Sequence, residues 1–297
     1  MKPGCPRLKC DSHKNRGPES GSVIANGTFF RACDSRRIRR FICRSCGLNF
    51  SQSTGSPRYR QKKRRIVEPL YRLMASTVSQ RRAARLLGVD KKTVVRYFKF
   101  ISNECRKRED QRISSYRTDR LKRIQFDDLE TLEHTKLKPL SVALAVEPNT
   151  RKIIGFQVSR MPAKGLLAKK SRHKYGPRKD ERKMGWNRLL KRLVPLVAPD
   201  AEFLSDQNPH YPQVLKMHFP RAHHETTPGG RGAITGQGEL KKLAFDPLFA
   251  LNHTCAMMRA NMNRLLRRTW CTTKTIQGLK DHLAIYVDYH NRILTPE

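Results

Sequence analysis

Acidic residues are scarce in this chain. Its 297 residues include 25 Asp and Glu against 62 Lys and Arg, a formal net charge of +37. An excess of that size repels itself unless a polyanion neutralises it. Nucleic acid fits that part, because each phosphate neutralised releases a counterion. A ribosomal protein or a basic protein at a membrane surface shares the composition, so charge alone leaves the choice open. Long apolar runs are missing too. None approaches the ~20 residues needed to span a bilayer, and Met1-Lys2-Pro3-Gly4-Cys5 lacks the apolar core of a secretory signal. The expectation is a cytoplasmic protein with no membrane segment. Hydrophobic residues make up only 37%, low for one compact domain, so two or three domains with extended surface are expected. The eight cysteines are then reduced and available for metal rather than for disulfides.

Four of those cysteines are paired in sequence. Cys5 and Cys10 form one pair, and Cys43 and Cys46 form a CxxC between Arg39-Arg40-Phe41-Ile42 and Gly47-Leu48-Asn49-Phe50. Two knuckles separated by a strand-like stretch make a zinc ribbon, since tetrahedral Zn²⁺ takes four thiolates and each turn delivers two. The first spacing is looser than the usual CxxC. Cys33, Cys105, Cys255 and Cys271 have no paired spacing and read as packing residues.

Residues 57–103 read as helical, with Ile66, Leu70, Leu73 and Met74 on one face. Ser79 is a natural N-cap for the segment that follows. Ala84, Gly88 and Val94 stand where a helix-turn-helix needs a small residue, a left-handed turn and a branched apolar lock. Lys91, Lys92, Thr93, Arg96 and Lys99 then line the outward face of the recognition helix, the part that enters the major groove of double-stranded DNA. A plain helical hairpin with a solvated basic face is the competing reading. Residues 104–123 are polar and read as a connector.

From residue 124 the pattern turns to strands: Ile124–Leu129, Pro139–Val146 and Lys152–Ser159, the last two joined by a tight turn at Glu147-Pro148-Asn149-Thr150. Residues 162–183 form an intensely basic, loop-like insert. A helix over Trp186–Val197, a strand over Glu202–Asp206, a helix over Tyr211–His218 and a strand near Arg221–Glu225 follow. A Gly-rich loop leads to Asp246-Pro247, which opens a long helix with an apolar stripe of Leu248, Leu251, Cys255, Met258, Met262 and Leu265. A last helix covers about 275–292. This is the element order of an RNase H-like α/β fold over 124–297, a mixed sheet with flanking helices, behind a zinc ribbon (1–53) and a small helical domain.

Asp127 closes the first strand and Asp206 the fourth. Two carboxylates so placed, with a third acidic group from the long helix, hold two divalent metals for in-line phosphoryl transfer. Mg²⁺ or Mn²⁺ suits such a site. Asp128 points to the opposite face of its strand because side chains alternate. His210, His223 and His224 lie near the strand ends and read as structural, and Asp246 as a helix cap.

With these residues in that order, the chain resembles the transposases of the bacterial insertion-sequence-one type, which are DDE recombinases. The resemblance covers almost the whole length. Its most specific part is Arg264-Leu265-Leu266-Arg267-Arg268-Thr269-Trp270-Cys271-Thr272-Thr273-Lys274, similar to the family's basic tail of the catalytic helix. It implies Zn²⁺ in the ribbon, a divalent metal on Asp127 and Asp206, and strand cleavage and transfer at terminal inverted repeats. It also implies DNA contacts at Arg259, Arg267 and Arg268, and at least a dimer, since two DNA ends must be brought together. The chain departs from the family seven residues before Arg259, where a glutamate is expected and Asn252 stands. At ~100° per residue Asn252 and Arg259 share one flank of the helix. An amide carbonyl can ligate a hard cation but brings no charge. Three readings stay open: an Asp-Asp-Asn site, recruitment of Glu239 from the Gly-rich loop, or a catalytically inactive copy that serves as a DNA-binding regulator.

Overall fold

The structure, a computed structural model, describes residues 3–14, 22–59, 61–228, 246–266 and 270–295. The chain divides into two compact units, Met1–Pro69 and Leu70–Glu297.

The first unit is a short helix α1 (Asp11–Lys14) and a three-stranded antiparallel sheet of β1 (Val23–Arg31), β2 (Arg36–Cys43) and β3 (Asn49–Ser51), in that order. Its small core is Val23, Phe41 and Phe50 packed on the cysteines. Phe41 and Phe50 stack across β2 and β3 at 5.6 Å. So little apolar area is buried that a metal is the natural staple for a unit of this size.

A helix α2 (Val67–Met74) spans the division. The second unit continues with α3 (Gln80–Leu86) and α4 (Lys91–Ile113). Ser79 caps α3, its hydroxyl accepting the Arg82 N–H, and Asp90 caps α4 through the Lys92 N–H. Gly88 takes φ +58° in the turn between them, and Ala84 and Val94 are buried at the crossing. The turn motif read in the sequence is therefore present. The connector expected at 104–123 is not: α4 runs on to Ile113, and the next strand starts at Leu121. The cause is a row of ion pairs to the last helix, α9 (Ile276–Tyr289). Arg106 meets Asp281 at 2.5 Å and Arg108 grips Asp288 at 2.7 Å. Both helices of the turn and the sheet lie within the compact unit Leu70–Glu297.

The sheet has five strands: β4 (Leu121–Glu133), β5 (Thr135–Val146), β6 (Ile153–Arg160), β7 (Val197–Asp206) and β8 (His223–Thr227). Their order is β6-β5-β4-β7-β8. The first three are antiparallel neighbours, and β4–β7 and β7–β8 are parallel. Helices cover both faces. One core layer sets Leu129, Val142, Leu144, Val146 and Ile153 against α8 (Phe249–Asn261) and α9. The other sets Ile124, Phe126, Ala143 and Phe203 against α6 (Arg182–Leu193) and α7 (Tyr211–His218). The result is a mixed α/β sandwich. Strand alternation assigns Gln125, Asp127 and Leu129 to the α8 face and Ile124, Phe126 and Asp128 to the α6 face.

Three local expectations are revised. The basic insert at 162–183 contains a helix, α5 (Leu167–Tyr175), pinned to β5 by the Ser171 hydroxyl donating to the Leu137 carbonyl. The helix opened near Asp246-Pro247 begins at Phe249 and stops at Asn261, although the apolar stripe runs on through buried Met262 and Leu265. Thr77 ends it: its N–H donates to the Asn261 carbonyl, and its own carbonyl accepts from the Asn263 amide. β7 is ten residues long, starting five before the expected Glu202.

Candidate active site and metal centre

In the first unit β2 delivers Cys43, and a turn with Gly47 at φ +67° brings back Cys46. The looser Cys5/Cys10 pair closes through a turn in which the Cys10 N–H reaches the Arg7 carbonyl. Sulfur–sulfur distances are 3.7 Å for Cys5–Cys46 and 3.7 Å for Cys10–Cys43. All four sulfurs lie within 4.8 Å of one another. A tetrahedron of thiolates about 2.3 Å from zinc has edges of about 3.8 Å, so the cluster has the size of a structural Zn²⁺ site. Burial pushes Cys5 up to about 12. Cys43 is also buried, yet hydrogen bonds from Ser12, the Cys46 backbone and the Cys46 and Cys10 sulfurs pull it down to about 6. One thiolate is thus favoured among protons shared between sulfurs, and a divalent cation would replace those protons.

In the second unit the parallel register pairs Arg123 with Glu202, Ile124 with Phe203 and Gln125 with Leu204. Two residues further along, the same register puts Asp127 beside Asp206. Burial raises the Asp127 carboxyl to about 6, with the Asp206 charge as the next cause. That repulsion is the electrostatic sign of two carboxylates converging on one place. Asp206 closes its own turn by accepting the Asn208 N–H at 3.1 Å. A cleft of about 450 Å³ opens there, with Lys164, Arg182 and His210 around Asp206. Lys164 pairs with Glu130 at 2.9 Å and Arg182 with Asp180 at 2.6 Å. The cleft thus sets the Asp206 carboxylate among basic side chains, a charge mix able to act on a phosphate.

Asp128 has another occupation. It accepts from the Ser141 hydroxyl, from Trp186 Nε1 at 3.1 Å and from the Tyr211 hydroxyl at 3.3 Å. Held by Ser141 and Trp186, with the Tyr211 hydroxyl shared with Asp127, this half-buried carboxylate reads as structural. The Tyr211 hydroxyl also lies 3.1 Å from Asp127 Oδ1. Its ring packs on Phe126 and Trp186 at 5.0 and 5.2 Å. Ser141, Trp186 and Tyr211 do not stand out in the sequence. The one signal there is an aromatic hydroxyl in the first turn of the helix that follows the Asp206 strand.

The helix residues fall less neatly. Gln125 docks α8 on β4: its amide donates to the Pro247 carbonyl at 2.7 Å and accepts the Leu251 N–H at 2.9 Å. The next residue, Asn252, is exposed and donates to Asp246 Oδ2 at 2.8 Å. Asp246 in turn accepts the Leu248 N–H and so caps the helix entry. Arg259 is half-buried, and its Nε has no hydrogen-bond partner among the described residues. Glu239, Arg267 and Arg268 lie outside the described residues. Among the described residues, the group of three or more Cys, His, Asp or Glu side chains close enough to share a metal is the cysteine quartet. His224 accepts or donates to Ser205 at 2.9 Å beneath the site.

On α4, Lys91, Lys92, Arg96 and Lys99 are exposed and Thr93 is half-buried, while Val94, Tyr97 and Phe98 face the core. Among the described residues no helix is long and apolar enough to cross a membrane. No family model and no curated protein matches this chain.

Proposed function

We propose that this chain is a DDE-type DNA transposase of the insertion-sequence-one kind, built on an RNase H-like sheet. The observation that carries the reading is the parallel register of β4 and β7, which carried on by two residues sets Asp127, in mid-strand, beside Asp206 at the end of its strand. The strand order supports it, with an antiparallel three-strand meander and two parallel strands added beside the first. On this reading Asp127 and Asp206 would hold Mg²⁺ or Mn²⁺, which when bound would supply Lewis-acid activation of the attacking oxygen and charge for the leaving one. Lys164 and Arg182 receive the scissile phosphate. The outward face of α4, together with Arg259, Arg267 and Arg268, holds double-stranded DNA at the terminal inverted repeats. The protein acts in the cytoplasm on chromosomal DNA as at least a dimer, because two ends are joined.

A second reading has its own observation. Asn252, where a glutamate is expected, is tied to Asp246. A chain with two carboxylates and no third would bind DNA and regulate without cutting.

The deciding experiment is strand cleavage and strand transfer on a duplex carrying the element's end, with Mg²⁺ or Mn²⁺. Wild type, Asp127→Ala, Glu239→Ala and Asn252→Ala are compared. Loss in Asp127→Ala and in one of the other two establishes the transposase and names its third ligand. No cleavage by a wild type that still binds the end establishes the regulator.

A further inference from the structure

The first unit carries a second surface, apart from its cysteines. The residues before Pro69 include seventeen Lys and Arg against four Asp and Glu. A groove of about 920 Å³ runs between the open sheet face and Tyr59, Gln61, Lys62 and Arg64. Pairing defines that face: Phe29 opposes Ile38 and Arg40 opposes Ser51. Arg40 lays its guanidinium over the Phe29 ring at 5.3 Å. Lys62 and Arg64 supply positive charge along the opposite wall.

Two lining side chains hold buried polar atoms without hydrogen-bond partners among the described residues. Arg31 is fixed by Asp34, which accepts from Nε at 2.7 Å and Nη2 at 2.6 Å, and its Nη1 is left over. The Oε1 of Gln61 is left over as well. Such atoms are costly to fold around. They also differ in kind. Arg31 Nη1 needs an acceptor, which a phosphate or a base carbonyl supplies. Gln61 Oε1 needs a donor, which a phosphodiester lacks and a base amino group has. A duplex turns its phosphates outward, whereas an unpaired strand offers phosphates and base edges together. Basic grooves with aromatic or guanidinium planes hold single strands by stacking.

We propose that this groove binds an unpaired DNA strand, with a base stacked on the Arg40–Phe29 pair and the backbone along Lys62 and Arg64. The inference rests on the reading of the chain as one that acts on DNA, and it adds a single-strand site distinct from α4.

The test uses the full chain and a fluorescein-labelled 20-nucleotide DNA, single-stranded and as a duplex. Wild type is compared with Arg40→Ala, with Gln61→Leu and with Lys62→Ala/Arg64→Ala. Bound zinc is measured in each to show that the ribbon is intact. The expected result is weaker single-strand binding by about tenfold in Arg40→Ala and in Gln61→Leu. The double variant should show a salt dependence shallower by about 0.7 for each phosphate it no longer neutralises. Duplex binding through α4 should be unchanged. Zinc-replete variants that bind the single strand like wild type overturn the groove. Equal losses on single strand and duplex overturn its selectivity for an unpaired strand. A wild type that binds neither DNA overturns the underlying reading of the chain instead.

Discussion

The Tyr211 hydroxyl lies 3.1 Å from Asp127 and 3.3 Å from Asp128, and it has one proton to give. Asp128 is already served by Ser141 and Trp186. The proton therefore matters most to Asp127, where the nearest other donor is the Asp128 N–H at 2.6 Å. Both donors fall on Oδ1, so they fix the carboxylate rotamer and leave Oδ2 for a cation. Tyr211→Phe keeps the ring packing and removes only this hydrogen bond. The expected cost in stability is about 1 kcal/mol. Cleavage should fall by about tenfold, with a higher Mg²⁺ requirement. A Phe variant with wild-type metal dependence would show that Tyr211 does not orient the site.

The proximity of Asp127 and Asp206 can be tested without catalysis. The Asp127 carboxyl is raised from 3.8 to about 6. The native state therefore holds its proton more tightly than the unfolded chain does. The stability this brings is complete below the unfolded value and is lost as pH rises through about 6. In metal-free buffer Asp127→Asn should melt close to wild type near pH 4 and clearly above it near pH 7.5. A melting difference that does not grow over that range would separate the two aspartates.

On the proposed reading Asp206→Asn should abolish cleavage and leave binding to the element's end intact, because the exposed basic side chains of α4 are elsewhere in the fold. It should also relieve part of the Asp127 shift. If DNA binding is lost along with cleavage in a folded variant, Asp206 is a structural turn residue.

The cysteine quartet predicts one zinc per chain by elemental analysis. Cys43→Ser should lose it, because three thiolates leave the tetrahedron open. The loss should unfold Met1–Pro69, whose remaining core is small. Wild-type protein purified under reducing conditions without zinc would remove the ribbon assignment.

What the sequence made legible is what local chemistry determines. Two cysteine knuckles, an N-cap at Ser79, a left-handed Gly88 and an aspartate closing the strand at 206 each declare themselves within a few residues, whereas β4 runs on past Asp127 to Glu133 instead of closing there. The polar stretch after Cys105 reads as a connector because its helix is held from far away. Arg106 and Arg108 find Asp281 and Asp288 about half the chain later. Their helical neighbours add the local pairs Glu104–Lys107 and Glu109–Arg112, and distant partners again at Arg192 and Asn291. The same holds for α5, which buries one serine against Leu137 and otherwise shows little apolar periodicity. Tyr211 is invisible in the sequence for a related reason: its partners come from β4, and nothing in its own helix marks its hydroxyl as different.

Buried His282 gives the second pH prediction. Its Nε2 meets the Met74 carbonyl at 2.6 Å, so Nε2 carries the proton, and Nδ1 has no partner among the described residues. Burial first, then the Arg264 charge, depresses its pKa from 6.5 to about 3. The neutral form is thus part of the native state. The stability that depends on it is present above pH 6.5 and is lost as pH falls toward 3. His282→Gln can keep a donor to Met74 without titrating. It should flatten the acid limb of the melting curve between pH 6.5 and 4 while costing stability at pH 7. An unchanged acid limb would place the acid sensitivity elsewhere.

The exposed charges of α4 make a prediction about salt. Lys91, Lys92, Arg96 and Lys99 are exposed, while Val94, Tyr97 and Phe98 on the other side of the helix are buried. Substituting any of the four therefore leaves the core untouched, and stability should change by less than about 0.5 kcal/mol. On duplex DNA the two roles open to such a residue differ in signature. One that meets only a phosphate weakens binding to every sequence and lowers the slope of log affinity against log salt by about 0.9. One that reads a base relaxes discrimination at one position of the site and barely moves the slope. Lys91 and Lys92 stand in the first turn, beside the Asp90 cap, where a recognition helix points at base edges. Arg96 and Lys99 lie further along. Lys92→Ala should therefore lose sequence preference, and Lys99→Ala should lose salt slope. Full affinity and full specificity in a variant with all four changed to alanine would take α4 out of the DNA interface.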